Sequence, residues 1–215
     1  MKVEFHCHSV FSKDSLTPPE RLIAAARRKG IDRLVITDHN SINGALAAFR
    51  LAPDLVIIGE EIKTTRGELL ASFVSEEIPR GLAPQEAIRR LRDQGAFISV
   101  SHPFDMLRNG HWQEPDLLEI APLVDAIEVF NARCMKAEYN LQAQNFARSH
   151  DLPGTAGSDG HAAFEVGTAC LALPPFESAD DLRRVIRQGE VLGRLSSPLV
   201  HFVSRYASLR KQIRV

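Results

Sequence analysis

The stretch FHCHSVFSKDS, residues 5–15, places two imidazoles and a carboxylate close together: His6, His8 and Asp14. Imidazole is the commonest side-chain ligand for zinc, iron and nickel. Side chains alternate across a strand. If Lys2–His8 is extended, His6 and His8 therefore share one face, and Cys7 turns away as a small buried apolar group. Two imidazoles on one rigid face are half of a metal site. An H-x-H by itself is equally compatible with a packed or solvated pair, so the weight falls on what the rest of the chain supplies.

The same residue types recur at the ends of other apolar runs. Asp38 and His39 end RLVIT, Glu60 and Glu61 end LVIIG, His102 ends FISVS, and Asn131 ends AIEVF. Asp159 and His161 follow a short run near 153–156 and repeat the spacing of His6 and His8. Five of the eight histidines lie at such ends, which implies a site holding more than one metal. Bound divalent metals neutralise charge on a phosphoryl group and make hydroxide available near neutral pH. Two-metal hydrolases hold their ions ~3.5–4 Å apart. The donor set therefore suits a phosphate ester.

These residues need a frame. The apolar pattern predicts strands over 2–8, 33–39, 55–64, 68–74, 96–103, 125–131, 153–156 and 167–174. Helices are predicted over 18–30, 42–51, 84–94, 114–121 and 135–150, with two more finishing the chain. Alternation with short connections predicts an α/β domain over 1–215, with a parallel sheet covered by helices. Seven or eight strands suit a closed or nearly closed barrel, whose active site sits at the C-terminal strand ends.

Composition narrows the function. The chain has 215 residues, is 44% hydrophobic and 25% charged, and carries a net charge of -1, so no broad basic surface for nucleic acid is indicated. Three cysteines without paired spacing, Cys7, Cys134 and Cys170, argue for a reducing compartment, and no leader segment is expected; both point to the cytoplasm. No apolar run approaches the ~20 residues of a membrane span, and no membrane partner is expected.

The motifs H-C-H-S with S-K-D, then T-D-H-N, G-E-E-I, S-H-P and S-D-G-H, occur in that order. Together they resemble the PHP family, named for polymerase and histidinol phosphatase, over most of the chain. The resemblance implies a distorted, TIM-like (β/α)7 barrel, a centre of two or three divalent ions (zinc, manganese or iron) and phosphoesterase activity. It implies His6, His8, Glu61 and Asp159 around one metal, and Glu61 with His102 around a second. Asp14, His39 and His161 would surround a third. One position departs from the family pattern, which has a histidine soon after the bridging glutamate. Here the run is R-G-E-L-L-A, and Glu68 takes that place. A carboxylate is a harder ligand, favouring manganese or iron over zinc. The alternative is a solvated glutamate in a hairpin turn.

Alternation puts Leu55, Ile57, Gly59 and Glu61 on one face, leaving Glu60 as a surface or supporting group. Asp38 is expected behind the ligands, orienting one of them, with a metal-bound water as the reacting group. Asn131 and Arg133 are expected to bind substrate, Arg133 by gripping phosphate in a bidentate manner. Cys134 is a further candidate ligand. Lys13, Arg66 and Arg108 read as solvated loop charges. His111 lies in a loop that either touches substrate or faces solvent, and His150 and His201 read as ordinary.

The expected function is hydrolysis of a small phosphomonoester or nucleotide. Two alternatives stand beside it: a nuclease acting on DNA or RNA ends with the same metals, and a non-catalytic, metal-stabilised binding module.

Overall fold

Val3 and Phe5 are buried, and the strand that carries them seeds the sheet. In the computed structural model, which describes residues 1–213, β1 (Lys2–Glu4) pairs parallel with β2 (Arg33–Ile36), and β2 with β3 (Val56–Lys63). β4 (Glu68–Ser72) runs antiparallel to both β3 and β5 (Phe97–Val100). β6 (Ala126–Asn131) and β7 (Gly154–Gly157) continue in parallel. The order is β7-β6-β5-β4-β3-β2-β1-β8-β9, where β8 (Ala169–Ala172) and β9 (Glu190–Gly193) form an antiparallel pair against the start of β1.

The ring closes beyond β1. Phe5 N donates to Ala156 O at 3.3 Å, Asp159 N to His6 O at 2.8 Å and His8 N to Gly160 O at 2.8 Å. These bonds join the end of β1 to the end of β7, so β1 to β7 enclose a nearly closed barrel. They also carry His6, His8 and Asp159 on adjoining backbone.

Helices cover the outside. α1 (Pro19–Arg28) opens on prolines, whose preset φ and missing donor suit a first turn. Glu20 and the pair Arg27 and Arg28 sit at the ends where the helix dipole favours them. It buries Leu22, Ile23, Ala25 and Ala26 together with Leu34 and Ile36 of β2. α2 (Asn43–Leu51) packs into the same layer. α3 (Pro84–Asp93) ends before Gly95, which takes the left-handed φ of 75° that stops a helix. α4 (Glu114–Ile120) and α5 (Ala137–Ser149) complete the layer in which Leu91, Leu117 and Phe146 pack with Ile62, Leu69, Ile98 and Ile127 of the strands. α6 (Ala179–Val185) and α7 (Val200–Ile213) follow. A third cluster, including Val3, Val35, Ile57, Phe97, Ala126 and Leu171, fills the barrel interior. Phe97 is fully buried there, and Phe97→Ala should cost about 3–5 kcal/mol.

Four expectations need correction. The sheet is mixed, because the connection Thr64–Gly67 is far too short for a parallel crossover and forces β4 to run back as a hairpin. β3 runs Val56–Lys63, close to the predicted 55–64, so Glu60 and Glu61 lie within it, and the expectation that site residues sit at strand ends fails for them. The run 2–8 is regular only to Glu4; beyond it Phe5 N and His8 N turn to the β7 side while Cys7 O still accepts from Thr37 N just past β2. Between the two last helices stands β9, four residues too short and exposed to leave an alternating signal. No described helix is long and apolar enough to cross a membrane.

Candidate metal centre

Glu61 sits at the middle of the polar cluster. Its backbone is bridged in parallel to His39, which lies just beyond β2. Its Oε2 is 2.9 Å from His39 Nδ1 and 3.4 Å from both His6 Nε2 and His8 Nε2. Its Oε1 is 3.1 Å from His102 Nε2, just beyond β5, and accepts from Ser101 Oγ at 2.8 Å. Asp159 faces it, with Oδ1 3.2 Å from His8 Nε2 and 3.7 Å from His6 Nε2. Asp159 holds a left-handed φ of 53°, a conformation aspartate tolerates better than most residues. Asp14 Oδ2 lies 3.4 Å from His39 Nε2 and 3.2 Å from His161 Nε2. Glu68, opening β4, reaches 3.7 Å from His102 Nε2.

All nine expected ligands thus gather in one place, drawn from four strand ends, the β3–β4 hairpin and a loop. Their donor atoms form four overlapping sets, each within 4.8 Å: His6/His8/Glu61, His6/His102/Asp159, Glu61/Glu68/His102 and His8/His39/His161. Asp14 joins the last set through its two imidazole contacts.

The cluster can be tested for its fitness to hold cations. His6 Nδ1 faces Glu128 Oε1 at 2.9 Å, so it donates there and leaves Nε2 as the ligand atom. Ser12 Oγ donates to Asp38 at 2.6 Å, so His8 Nδ1, 3.1 Å from that oxygen, donates to it and also leaves Nε2 as the ligand atom. The two Nε2 atoms face each other at 3.2 Å. Two lone pairs so placed need a cation between them, either a proton or a metal ion in its stead. Glu61 Oε2, Asp159 Oδ1 and Asp14 Oδ1 are buried acceptors with no hydrogen-bond donor, and a buried polar atom left so costs about 1–3 kcal/mol. Metal coordination would satisfy every one of them. The residues fit the group.

Burial and the neighbouring charges set the protonation states. Burial disfavours ionisation of Glu61, yet His6, His39 and His102 hold it well below the usual carboxylate range. Burial likewise opposes ionisation of Asp159, and Arg108 and His6 overcome it. Burial lowers His8 to about 4, with His161 and His39 pushing the same way. Ionised carboxylates and a neutral imidazole are the forms that bind metal. At His6 and His39, by contrast, burial opposes protonation but the surrounding carboxylates overcome it and raise both well above the usual imidazole range, so those two rings would release protons as a cation loads.

Behind the donors lies a ring of buried hydrogen bonds. Asp38 does not touch His39. It accepts from Ser9 N, Ser9 Oγ and Ser12 Oγ, and so orients His8 through Ser12. Asn131 is turned inward, its amide donating to Glu128 and Asp159 at 3.1 Å each, which positions ligands and leaves nothing for substrate. Sequence reasoning missed Glu128, which also accepts from His102 N at 2.8 Å. The signal was present: one acid in the middle of the apolar run AIEVF.

Three charged residues are placed otherwise than expected. Arg133 borders the cavity, but it is buried and its guanidinium is engaged by Glu165, Val200 O and His161. Arg108 is not a solvated charge: Nη1 pairs with Asp159 Oδ2 at 2.5 Å, Nε pairs with Asp105 at 3.0 Å, and Nη2 is buried without a partner. Glu60 is not on the surface. It lies fully buried on the outer side of β3, accepting from Ile78 N at 3.0 Å, and burial pushes its carboxyl up to about 8. Cys134 is buried, belongs to none of the donor sets, and its thiol is pushed up by burial. His111 and His150 lie away from the cluster on their own backbone carbonyl contacts, and His201 contacts Arg133 O.

A cavity of about 590 Å³ opens onto these groups. Asp14, His39, Glu68 and His161 form its floor, and Lys13, Lys63, Arg108 and Arg205 bring positive charge to its walls. Leu107, Met135, Pro198 and Phe202 form an apolar side.

Sequence comparison places this geometry. The model of the PHP domain matches residues 4–139, which contain seven of the nine clustered donors, and the PHP-associated model matches 137–191, which contain Asp159 and His161. The chain belongs to the PHP domain family. Two uncharacterized proteins of Methanocaldococcus jannaschii are similar to it. One is 38% identical over 187 residues, 85% of this chain and 75% of that protein. The other is 34% identical over 145 residues, 61% of this chain and 82% of that protein. Among solved structures, a two-domain protein from Bacteroides vulgatus containing a predicted PHP-like metal-dependent phosphoesterase aligns over 96% of this chain and 69% of its own, with a TM-score of 0.74 and 22% identity. PsfC from Pseudomonas syringae aligns over 100% and 98%, with a TM-score of 0.69 and 17% identity. The lesion-specific endonuclease PfuEndoQ from Pyrococcus furiosus aligns over 92% and 59%, with a TM-score of 0.61 and 14% identity. At these identities the likeness is one of fold. The two PHP models meet within one continuous sheet, since β7 to β9 share it with β1.

Proposed function

We propose that this PHP protein is a metal-dependent phosphoesterase acting on a small phosphomonoester or nucleotide. The observation that carries the reading is the convergence of the bare Nε2 atoms of His6 and His8 with the unpartnered oxygens of Glu61 and Asp159. His6, His8, Glu61 and Asp159 would hold one divalent ion, Glu61, Glu68 and His102 a second, and Asp14, His39 and His161 a third. When bound, such ions supply charge neutralisation for a phosphoryl group and an acidified water.

The chain's own residues do the rest. Glu128 and Ser12 lock the tautomers of His6 and His8, so no reorientation is needed as cations load. Asn131 fixes Asp159, and Arg108 keeps it ionised. The Nη2 of Arg108 and the ammonium group of Lys13 attract a phosphate to the cavity, while the Lys63 ammonium lies 3.7 Å from Glu68 and donates to Asn109 O. Its volume lies in the ~300–1,000 Å³ range of small-molecule sites.

The test is a panel of phosphomonoesters, phosphodiesters, nucleotides and a labelled oligonucleotide, assayed with manganese, zinc or iron. Release of inorganic phosphate from one class of monoester or nucleotide, abolished by chelator, is expected. Shortening of the oligonucleotide with no monoester turnover would establish the nuclease alternative, whose support is fold likeness to PfuEndoQ. Absence of any turnover with full metal loading would leave a binding module.

A further inference from the structure

The last helix has its amphipathic faces inverted. Val200 and Ala207 of α7 are buried against the barrel, and Ser204 and Lys211 are half-buried beside them. The Lys211 ammonium donates to Val10 O and Ser12 O at 2.5 Å each. At 100° per residue these four lie on one side of the helix. The large apolar residues lie on the opposite side: Leu199, Phe202, Tyr206, Leu209 and Ile213 are each more than half exposed. Their spacing is three, four, three, four, which keeps them in one stripe. Arg205 and Arg210, both exposed, flank the stripe on its two edges.

Charge is segregated with this helix. Residues 191–215 carry five Arg and Lys and no Asp or Glu, in a chain whose net charge is -1. The apolar surface also continues past the helix. Phe202 shares the cavity mouth with Leu107 and Met135, which come from two separate loops and are exposed as well. Lys13, Lys63 and Arg205 stand around that mouth.

We infer that α7 and the rim beside it form a docking face for an anionic lipid surface, with the stripe set into the headgroup boundary and Arg205 and Arg210 on the phosphates. A second copy of the chain fits poorly, because Arg205 and Arg210 would meet their own kind along a seam between two such helices. A single acidic helix could cover the stripe but not the apolar residues of the two loops. A sheet of negative headgroups over an apolar layer matches both features at once. This departs from the expectation of no membrane partner, which rested on the lack of a spanning run; a helix lying flat on a surface needs no such run. Bound in this way, the cavity mouth would open beside the bilayer.

The experiment is sedimentation of the full chain with vesicles of phosphatidylcholine alone and of phosphatidylcholine mixed with phosphatidylserine. Binding to the mixed vesicles at low salt is expected, weakening as salt rises, with none to phosphatidylcholine alone. Arg210→Glu should reduce the affinity by roughly 30-fold, and Leu209→Ser by about tenfold. Both positions are exposed and lie outside the cavity lining, so thermal stability and turnover of a soluble phosphoester should remain at the wild-type level. No binding to mixed vesicles at low salt, or binding that ignores both substitutions, overturns the proposal. So does a dimer that Leu209→Ser converts to monomer while vesicles are ignored. Binding of an acidic amphipathic peptide, with vesicles again ignored, overturns it in favour of a helical partner.

Discussion

Arg133 stands behind His161, its Nη1 2.9 Å from His161 Nδ1. That Nδ1 also faces Asp159 O at 2.8 Å, and donation from Nδ1 to this carbonyl is the tautomer that leaves Nε2 for a metal. The rest of the guanidinium is occupied: Nε donates to Glu165 at 2.8 Å, and Nη2 to Val200 O at 2.7 Å. One buried cation thus ties a donor histidine, the loop after β7 and the first residue of α7 together. It acts as a positioning residue for His161.

Arg133→Ala should therefore be felt in stability before it is felt in binding. Glu165 would be left buried without its cation, which typically costs about 3–5 kcal/mol. At roughly 2–4 °C per kcal/mol for a chain of this size, Tm should fall by at least about 6 °C. Metal content should fall as well, because His161 loses its support. Calorimetry with metal analysis checks both. Unchanged Tm with a raised KM alone would return Arg133 to the phosphate-gripping role its sequence position suggested.

Asp159→Asn should keep the fold and lose the activity. Asparagine accepts the left-handed φ of 53° as readily as aspartate does, so the turn survives. What disappears is the charge facing His6, His8 and Arg108. The drop in kcat/KM should exceed tenfold, a loss of over ~1.4 kcal/mol in transition-state stabilisation. His8→Ala should do the same. A variant of either kind retaining more than a tenth of wild-type kcat/KM with normal folding would remove that residue from the centre.

Glu60 and Glu61 are neighbours in sequence and opposite in role, and paired substitutions separate them. Glu61→Gln should lose metal and turnover while the circular dichroism spectrum stays unchanged. Glu60→Gln should keep both, because Glu60 faces Ile78 N across the outer layer. It should also alter the pH dependence of stability. Burial raises the Glu60 carboxyl from 4.5 to about 8, so the folded state binds the extra proton between those values. The wild type then loses stability as pH rises through that window, and the glutamine variant should not. Urea midpoints at several pH values for the two proteins measure the difference, and parallel curves would show that Glu60 is not held as the acid.

The sequence disclosed the donors better than their supports. His6, His8, Glu61, His102, Asp159 and His161 were legible because each follows an apolar run, and a barrel gathers such ends at one rim. Glu61 was separable from Glu60 by alternation, since β3 is regular there. Arg108 was not legible. Its pairing with Asp159 depends on the path of an irregular loop, which no periodicity encodes. Ser12, Glu128 and Asn131 were hidden or misplaced for the same reason: the hydrogen bonds that tie Ser12 to Asp38, Glu128 to His102 and Asn131 to Asp159 each join residues more than twenty apart in sequence. β9 was missed because four largely exposed residues leave no alternating signal, and the outward stripe of α7 because periodicity alone does not say which face meets the core.

Glu68 gives the most specific prediction, because its carboxylate is enclosed as well as placed. It shares a donor set with Glu61 and His102, and its backbone N donates to Gly110 O at 3.1 Å. Gly110 closes over it: a Cβ built there would lie 1.7 Å from Glu68 Oε2. Gly110→Ala should therefore push the carboxylate away from His102 without replacing any donor. A solvated glutamate in a hairpin turn would not respond to that methyl group. The expected result is loss of one metal equivalent, with the others retained, and a fall in turnover of similar size to that of Glu68→Ala. Glu68→His should retain the equivalent and move metal preference from manganese or iron towards zinc, since imidazole is the softer ligand. Metal analysis after competition among the three ions reads out both effects. Full metal content in Gly110→Ala, together with an unaltered preference in Glu68→His, would exclude Glu68 from the centre.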